Sequence, residues 1–177
     1  MPSDAESLQM FEPASEKGMF LAEYLRRYAL ADEEEHVART YLLRDVHTGE
    51  IAYYFSLKAG FVSYNEKGIF RRTFDSVPGI ELMNYAANGA YKKAHPTYSN
   101  IGLGSIVFED FILPKARDAS AIIGAKMIYL FALPQKRLIE TYQSHGFTCL
   151  PYMLEKRLHR RIKPRYDQGC IFMYQTL

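Results

Sequence analysis

The sequence has few cysteines, no long apolar run and little excess of either charge. Its two cysteines, Cys149 and Cys170, lack metal-ligand spacing, which predicts free thiols in a reducing compartment and no metal site. No apolar run approaches the roughly 20 residues of a transmembrane helix, and the N-terminus is acidic where a signal peptide is basic. The formal net charge of +2 does not single out a nucleic-acid binder. We therefore expect a cytoplasmic protein without a membrane partner.

The remaining composition is that of a folded domain. The chain has 177 residues, of which 48% are hydrophobic, enough to bury a substantial core. It contains no internal repeat and no low-complexity tract that would mark a linker. We expect a single domain over residues 1–177, with an extended C-terminal segment from about residue 148.

Hydrophobic periodicity predicts a mixed α/β (α+β) fold, a sheet with helices on both faces. Two β-rich runs on either side of His47-Thr48-Gly49-Glu50 predict an antiparallel hairpin. The acidic run 32–35 is expected to be solvated, residues 63–76 to form a loop, and Pro114 to kink or stop a helix. The predicted strands are 8–11, 40–43, 51–57, 80–87, 126–133 and 170–174; the predicted helices are 20–28, 105–119, 135–144 and 154–162.

A glycine-spaced turn directly precedes one of these helices. Gly102 and Gly104 leave backbone N–H groups unhindered at a helix start, where the helix dipole favours a phosphate. A Walker loop is excluded because its lysine is missing, and a Rossmann fingerprint because Val107 replaces the third glycine. Taken alone, the turn is also compatible with a helix start that binds nothing.

A tyrosine stands near the end of a later predicted helix. Tyr142 is followed by Gly146, a helix stop, and by Phe147. Taken alone, Tyr142 is also compatible with a half-buried aromatic side chain that packs on Phe147.

The order glycine turn, helix, apolar strand, helix, Gly-Phe resembles the GNAT superfamily of acetyltransferases, from about Phe20 to Phe147. Ser99 stands where the superfamily pattern has Gln or Arg. The resemblance implies a mostly antiparallel GNAT-like sheet. It also implies an acetyl-CoA-dependent N-acetyltransferase that moves an acetyl group to a primary amine by direct attack.

The resemblance assigns cofactor roles to three segments. The backbone of the strand before the turn would pair with the pantetheine arm, the turn would bind the pyrophosphate, and Gln135 stands where the family often has an Asn that contacts the cofactor. The strand residues are Tyr85, Ala86 and Ala87, and the turn residues are Ile101, Gly102, Leu103, Gly104 and Ser105.

The resemblance also assigns catalytic roles. Tyr142 would donate a proton to the leaving coenzyme A thiolate, and Glu81 would act as the general base. His95 and His145 are further candidates for the base. An acceptor amine that is already neutral near pH 7 would need none.

The N-terminal half resembles the GNAT toxins of bacterial toxin–antitoxin pairs in residues 20–25, 38–41 and 53–57. That resemblance implies a toxin that acetylates the α-amine of aminoacyl-tRNA. Arg160, Arg161 and Lys163 would then contact tRNA phosphates, although a solvated helix face has the same composition. A non-catalytic acyl-CoA-binding protein is the third alternative. The presence of an antitoxin and the oligomeric state, with a homodimer as one candidate, stay open.

Overall fold

The computed structural model describes residues 4–67, 72–99, 101–162 and 167–177. The chain forms two compact units. The first comprises Met1–Lys58 and Leu82–Leu113, and the second comprises Ala59–Glu81 and Pro114–Leu177. None of the helices in the described ranges combines the length and the apolar character that crossing a bilayer requires.

Six strands form one sheet in the order β1-β2-β3-β4-β6-β5. The strands are β1 (Arg39–Arg44), β2 (Ile51–Lys67), β3 (Arg72–Ala87), β4 (Met127–Ala132), β5 (Thr148–Cys149) and β6 (Ile171–Thr176). The helices are α1 (Asp4–Gln9), α2 (Met19–Arg27), α3 (Ala29–Glu34), α4 (Gly89–Ala94), α5 (Pro96–Ser99), α6 (Leu103–Val107), α7 (Leu113–Ile123), α8 (Lys136–Ser144) and α9 (Tyr152–His159). The predicted mixed, mostly antiparallel α/β fold is confirmed.

The first unit is built on the predicted hairpin. β1 pairs antiparallel with β2 from Arg39↔Leu57 to Arg44↔Ile51. The amphipathic helix α2 buries its apolar face against a cluster that includes Tyr54. The predictions of this hairpin and of this helix are confirmed. Both elements could be predicted because each shows a local hydrophobic periodicity.

One prediction near the N-terminus is wrong and another holds only in part. Residues 8–11 do not form a strand, since α1 ends at Gln9 and Phe11 makes an edge-to-face contact with Tyr54, at 5.3 Å between ring centroids. Glu34 and Glu35 of the acidic run are exposed as predicted, whereas Asp32 is half-buried and its carboxylate accepts a hydrogen bond from Tyr24 at 2.9 Å. Burial and that bond raise the pKa of Tyr24 to about 12.

The loop predicted at residues 63–76 is also wrong where the structure describes it. β2 continues to Lys67 and β3 begins at Arg72, and residues 68–71 lie outside the described part of the chain. Backbone pairing between neighbouring strands of a sheet outweighs the weak β-propensity of polar residues.

A π-helical turn accommodates the proline that was expected to kink or stop a helix. The turn spans Phe108–Ile112, where the Leu113 N–H bonds to the Phe108 carbonyl, and α7 then continues through Pro114 to Ile123. A proline has no N–H to donate to the carbonyl one turn earlier in a helix. The wider π turn relieves this mismatch and lets the helix continue. The early stop is therefore wrong.

The second unit joins parallel and antiparallel pairs. β4 pairs parallel with β3 over Gly79–Glu81 and Met127–Tyr129, and antiparallel with β6 over its whole length. An apolar cluster on this sheet receives Leu158 of α9. The predicted helices 135–144 and 154–162, and the strands 126–133 and 170–174, are confirmed to within a few residues.

Candidate functional site

The glycine turn of the first unit has the geometry of a helix start. Gly102 adopts the left-handed conformation (φ 67°, ψ 33°), which costs a glycine little. Its carbonyl accepts hydrogen bonds from Ser105 N–H at 2.8 Å and Ile106 N–H at 3.2 Å. The N–H groups of Leu103 and Gly104 are the ones that a helix start leaves without an intrahelical acceptor. The turn therefore provides two N–H groups at the positive end of a helix dipole.

Space around the turn is open. A Cβ built on Gly102 meets no atom within 4 Å, and one built on Gly104 makes only ordinary contacts, 3.4 Å from Tyr85 Oη and 3.6 Å from Tyr53 Oη. Ile101 and Ser105 are exposed. The fold itself does not require glycine at 104, so its absent side chain leaves room for something else.

Tyr85 ties the turn to the preceding strand. Its phenol donates a hydrogen bond to the Gly104 carbonyl at 2.6 Å, and its ring packs on Tyr53 and Phe108, with centroids at 6.0 and 6.3 Å. The sequence prediction used only the main chain of Tyr85, Ala86 and Ala87. The structure adds a side-chain role for Tyr85, which positions the first turn of α6.

Asn88 ends this strand and starts α4. Its side-chain oxygen accepts hydrogen bonds from Ala90 N–H (3.1 Å) and Glu12 N–H (3.2 Å), and its amide donates to the Ile51 carbonyl at 2.7 Å. Asn88 is buried, so these bonds satisfy polar atoms that water cannot reach. Sequence analysis missed this residue, although Asn before a helix is an N-cap signal.

Two polar pairs hold the segment between the strand and the glycine turn. Tyr91 donates to Asp45 at 2.7 Å, and His95 Nε2 lies 2.9 Å from Glu50 Oε2. The Tyr91 hydrogen bond lowers the pKa of Asp45, and the His95 hydrogen bond lowers the pKa of Glu50. His95, a candidate base from sequence, therefore has a carboxylate partner on the hairpin.

Tyr142 lies in α8 of the second unit. It is 8% exposed and its ring centroid is 5.8 Å from that of Phe147, whose N–H donates to the Tyr142 carbonyl at 3.0 Å. Gly146 makes this turn at φ 86°. Burial raises the pKa of Tyr142 above its usual value. The phenol keeps its proton at neutral pH, so it can donate a proton.

Glu81 has a buried tyrosine beside it. Glu81 is the register partner of Tyr129 in the parallel pair of β3 and β4. Burial, then the negative charge of Glu81 and a hydrogen bond to it, raise the pKa of Tyr129. Sequence analysis missed Tyr129, because no local pattern reveals which residues of two parallel strands face each other.

Gln135 is the N-cap residue of α8, with an extended backbone (φ −115°, ψ 120°) and no side-chain capping bond. Its carbonyl accepts from Leu138 N–H at 2.9 Å and Ile139 N–H at 3.0 Å. Gln135 therefore caps the start of α8 through its main-chain carbonyl and not through its side chain.

The basic segment of α9 is exposed. Lys156 and Arg157 lie on the helix, Arg160 and Arg161 follow it, and Leu158 points into the apolar cluster. Lys163 lies outside the described residues. Among the predicted site residues, the cofactor set Tyr85–Ala87 and Ile101–Ser105 falls in the first unit, and Glu81, Gln135 and Tyr142 fall in the second.

The fold matches solved toxin structures. A bacterial toxin matches with TM-score 0.70 and 15% identity, over 99% of this chain and 85% of its own. A Tyr-to-Phe variant of the AtaT toxin, bound to the C-terminus of the antitoxin AtaR and acetyl-CoA, matches with TM-score 0.63 and 14% identity, over 96% and 84%. AtaT complexed with acetyl-methionyl-tRNAfMet matches with TM-score 0.60 and 15% identity, over 93% and 85%.

The chain has the fold of the AtaT and KacT toxins. The resemblance predicted from the sequence is confirmed at the level of the fold. No protein-family model matches the chain, and no curated protein matches it.

Proposed function

We propose that the chain is an acetyl-CoA-dependent N-acetyltransferase, with residues 1–177 acting as one catalytic domain. The observation that carries the proposal is the open glycine turn at the start of α6, anchored through the Gly104 carbonyl by Tyr85. A turn of this kind suits a pyrophosphate, because N–H groups and the helix dipole both favour an anion. A structural neighbour of the same fold binds acetyl-CoA.

In this proposal the turn and the strand before it bind different parts of the cofactor. Residues Ile101–Ser105 hold the pyrophosphate through main-chain N–H groups, and the main chain of Tyr85–Ala87 pairs with the pantetheine amides. Main-chain recognition tolerates any side chain, which is why Ala86 and Ala87 can serve. Gln135 is proposed to contact the cofactor through its side chain, which the helix cap leaves unused.

Acetyl-CoA supplies the acetyl group as a thioester, and direct attack by the acceptor amine forms a C–N bond as the C–S bond breaks. Tyr142 donates its phenolic proton to the leaving sulfur. Burial raises the pKa of the phenol, so it stays protonated and can donate a hydrogen bond to the sulfur as negative charge develops there. The thiolate of a thiol with a pKa of about 8.5 is a tolerable leaving group. The donor therefore speeds the reaction but is not essential to it.

Glu81 receives the proton that the amine loses in this mechanism. It is partly exposed, so an acceptor can reach it. A carboxylate is a suitable base for an ammonium group only when it is held close to the nitrogen. An acceptor with a neutral amine would react without it.

The cofactor proposal is tested by replacing Gly104. A Cβ is tolerated there, so Gly104→Ala and Gly104→Val should fold with unchanged circular dichroism. The valine should crowd the pyrophosphate and weaken acetyl-CoA binding at least 100-fold in calorimetry, with alanine in between. Unchanged affinity in the valine variant would remove the glycine turn from the cofactor site.

Aminoacyl-tRNA is the second candidate for the acceptor, and a toxin the corresponding function. AtaT is a structural neighbour that was solved with acetyl-methionyl-tRNAfMet, and another structure of it carries the antitoxin AtaR. In this candidate the exposed arginines Arg160 and Arg161 contact tRNA phosphates. The ester beside an aminoacyl α-amine depresses its pKa, which eases the demand on Glu81. An antitoxin partner follows from the same candidate.

Acetyl-CoA binding without turnover would identify the non-catalytic alternative. In that case the chain binds the cofactor in calorimetry, no acceptor releases coenzyme A, and Tyr142→Phe changes nothing.

A further inference from the structure

Glu81 and Tyr129 face each other in the parallel pair of strands of the second unit. In the register of this pair, Gly79 lies opposite Met127, Ile80 opposite Ile128 and Glu81 opposite Tyr129. Register partners on adjacent parallel strands lie on the same face of the sheet, which makes the Tyr129 and Glu81 side chains neighbours. Burial, then the negative charge of Glu81 and a hydrogen bond to it, raise the pKa of Tyr129. Tyr129 is 3% exposed, whereas Glu81 is partly exposed. The carboxylate is therefore anchored from the buried side and stays accessible to an acceptor.

The phenol itself is held rigidly. The Tyr129 ring stacks on Phe172 with centroids at 5.6 Å and meets Phe131 edge-to-face at 6.4 Å. A Cβ at Gly60 would overlap the Tyr129 hydroxyl oxygen. A larger residue at position 60 would therefore displace the phenol.

We infer that Tyr129 is a positioning residue that orients the Glu81 carboxylate toward the acceptor amine. The inference rests on the proposed function, because Glu81 has this task only in an acetyltransferase. It adds a second residue to the acceptor side of the reaction. A hydroxyl bound to a carboxylate is a charge-assisted hydrogen bond, and such bonds are stronger and more directional than neutral ones.

A purely structural role makes a different prediction. If Tyr129 only fills the apolar cluster, its loss acts independently of Glu81 and the two effects multiply. If Tyr129 acts through Glu81, its loss has no further effect once the carboxylate is gone. A double-mutant cycle separates these cases.

The kinetic test compares wild type, Tyr129→Phe, Glu81→Gln and the double variant with methionyl-tRNA at saturating acetyl-CoA. We expect Tyr129→Phe to lower kcat about 10- to 100-fold with an unchanged KM for acetyl-CoA, because misorientation of a reacting group costs this much. In the Glu81→Gln background the same change should have no effect. Gly60→Ala should reproduce the defect, and Tyr174→Phe, which removes a hydroxyl from the same apolar cluster, should not.

A second measurement needs no acceptor. In a ¹³C NMR titration of labelled glutamate, Tyr129→Phe should move the midpoint of Glu81 by about one unit to higher pH, since the charged form loses a donor. A midpoint that does not move overturns the inference whatever the kinetics show. Thermal unfolding confirms that each variant is folded.

The two proposals fail in different ways. Wild-type turnover with multiplicative effects in the cycle overturns the role of Tyr129 and leaves the acetyltransferase standing. The acetyltransferase proposal is overturned if the wild type releases no coenzyme A with any acceptor tested: methionyl-tRNA, other charged tRNAs, polyamines and peptides. The positioning role then falls with it, even if the Glu81 midpoint moves.

Discussion

Tyr142 has the chemical state that a proton donor requires. Its phenol is buried, which raises its pKa, and the turn through Gly146 and Phe147 fixes its ring. A raised pKa keeps the phenol protonated and makes it a weaker acid than a thiol, so Tyr142 assists the developing thiolate chiefly as a hydrogen-bond donor. The same burial makes Tyr142 unsuited to be the general base.

Replacing this phenol should therefore lower turnover and spare binding. We expect Tyr142→Phe to reduce kcat roughly 10- to 100-fold, at or below the lower end of the range typical of general acids, because the thiolate leaves readily even unassisted. The affinity for acetyl-CoA should stay the same in calorimetry. Tyr152→Phe, which changes a tyrosine that is 72% exposed, is the matched control. Equal turnover in Tyr142→Phe and wild type would leave Tyr142 as packing.

Local signals account for the site residues that could be predicted. Gly102 and Gly104 stand before a helical pattern, and Tyr142 stands before a helix stop, so neighbouring residues suffice to find them. Tyr129 could not be found in this way, because its role depends on the register of two strands about 50 residues apart. The side-chain bond from Tyr85 to the Gly104 carbonyl depends on tertiary packing in the same way.

At the scale of elements, the β1–β2 hairpin supports the segment that leads to the glycine turn. Asp45 and Glu50 lie at the hairpin end and bond to Tyr91 and His95 of the segment that follows β3. Both carboxylates have pKa values lowered by these bonds. A lowered folded-state pKa stabilises the fold above the unfolded-state pKa, and this stabilisation is lost as the pH falls through the folded value.

Removing one of these bonds should change the acid sensitivity. Tyr91→Phe should lower the Tm at pH 7, and the difference from wild type should shrink as the pH falls below the ordinary aspartate pKa of about 3.9 and through the lower folded-state pKa of Asp45. Thermal unfolding between pH 3 and pH 7 measures this, with Tyr28→Phe at an exposed position as the control. A Tm difference that is constant with pH would contradict a role for the Asp45 charge.

Elements with a clear period were predictable, and those decided by distant partners were not. The helix at 20–28 and the strand at 126–133 show their apolar faces in sequence. Residues 8–11 are apolar for a different reason, since Phe11 serves a tertiary contact with Tyr54 after a short helix. The π turn before Pro114 has no local signal either, because the same residues are equally compatible with a helix that ends before the proline.

At the scale of the whole molecule, the basic end of α9 bears on the choice of acceptor. Lys156, Arg157, Arg160 and Arg161 are exposed, while Leu158 anchors the helix. Such a segment is compatible with an RNA backbone and equally with a solvated helix face. The fold, shared with toxins at 14–18% identity, was predictable because the order of elements identifies it.

Charge reversal on this segment tests the tRNA acceptor. Arg160→Glu with Arg161→Glu should weaken tRNA binding and flatten the salt dependence of the affinity by about two phosphate contacts. Arg117→Glu with Lys136→Glu makes the same change of net charge at exposed positions of other helices and should leave the slope unchanged. An unchanged slope in the first variant would return Arg160 and Arg161 to a solvated helix face.

The most direct test of the account is the release of coenzyme A by the purified chain. Wild type and Tyr142→Phe are each mixed with radiolabelled acetyl-CoA and a pool of charged bacterial tRNA, with polyamines and peptides in parallel, and both free thiol and labelled acceptor are counted. We predict that wild type releases coenzyme A and labels one acceptor class, and that Tyr142→Phe does so far more slowly. Tight binding of acetyl-CoA with no thiol release in any mixture would contradict an acetyltransferase and indicate an acyl-CoA-binding protein.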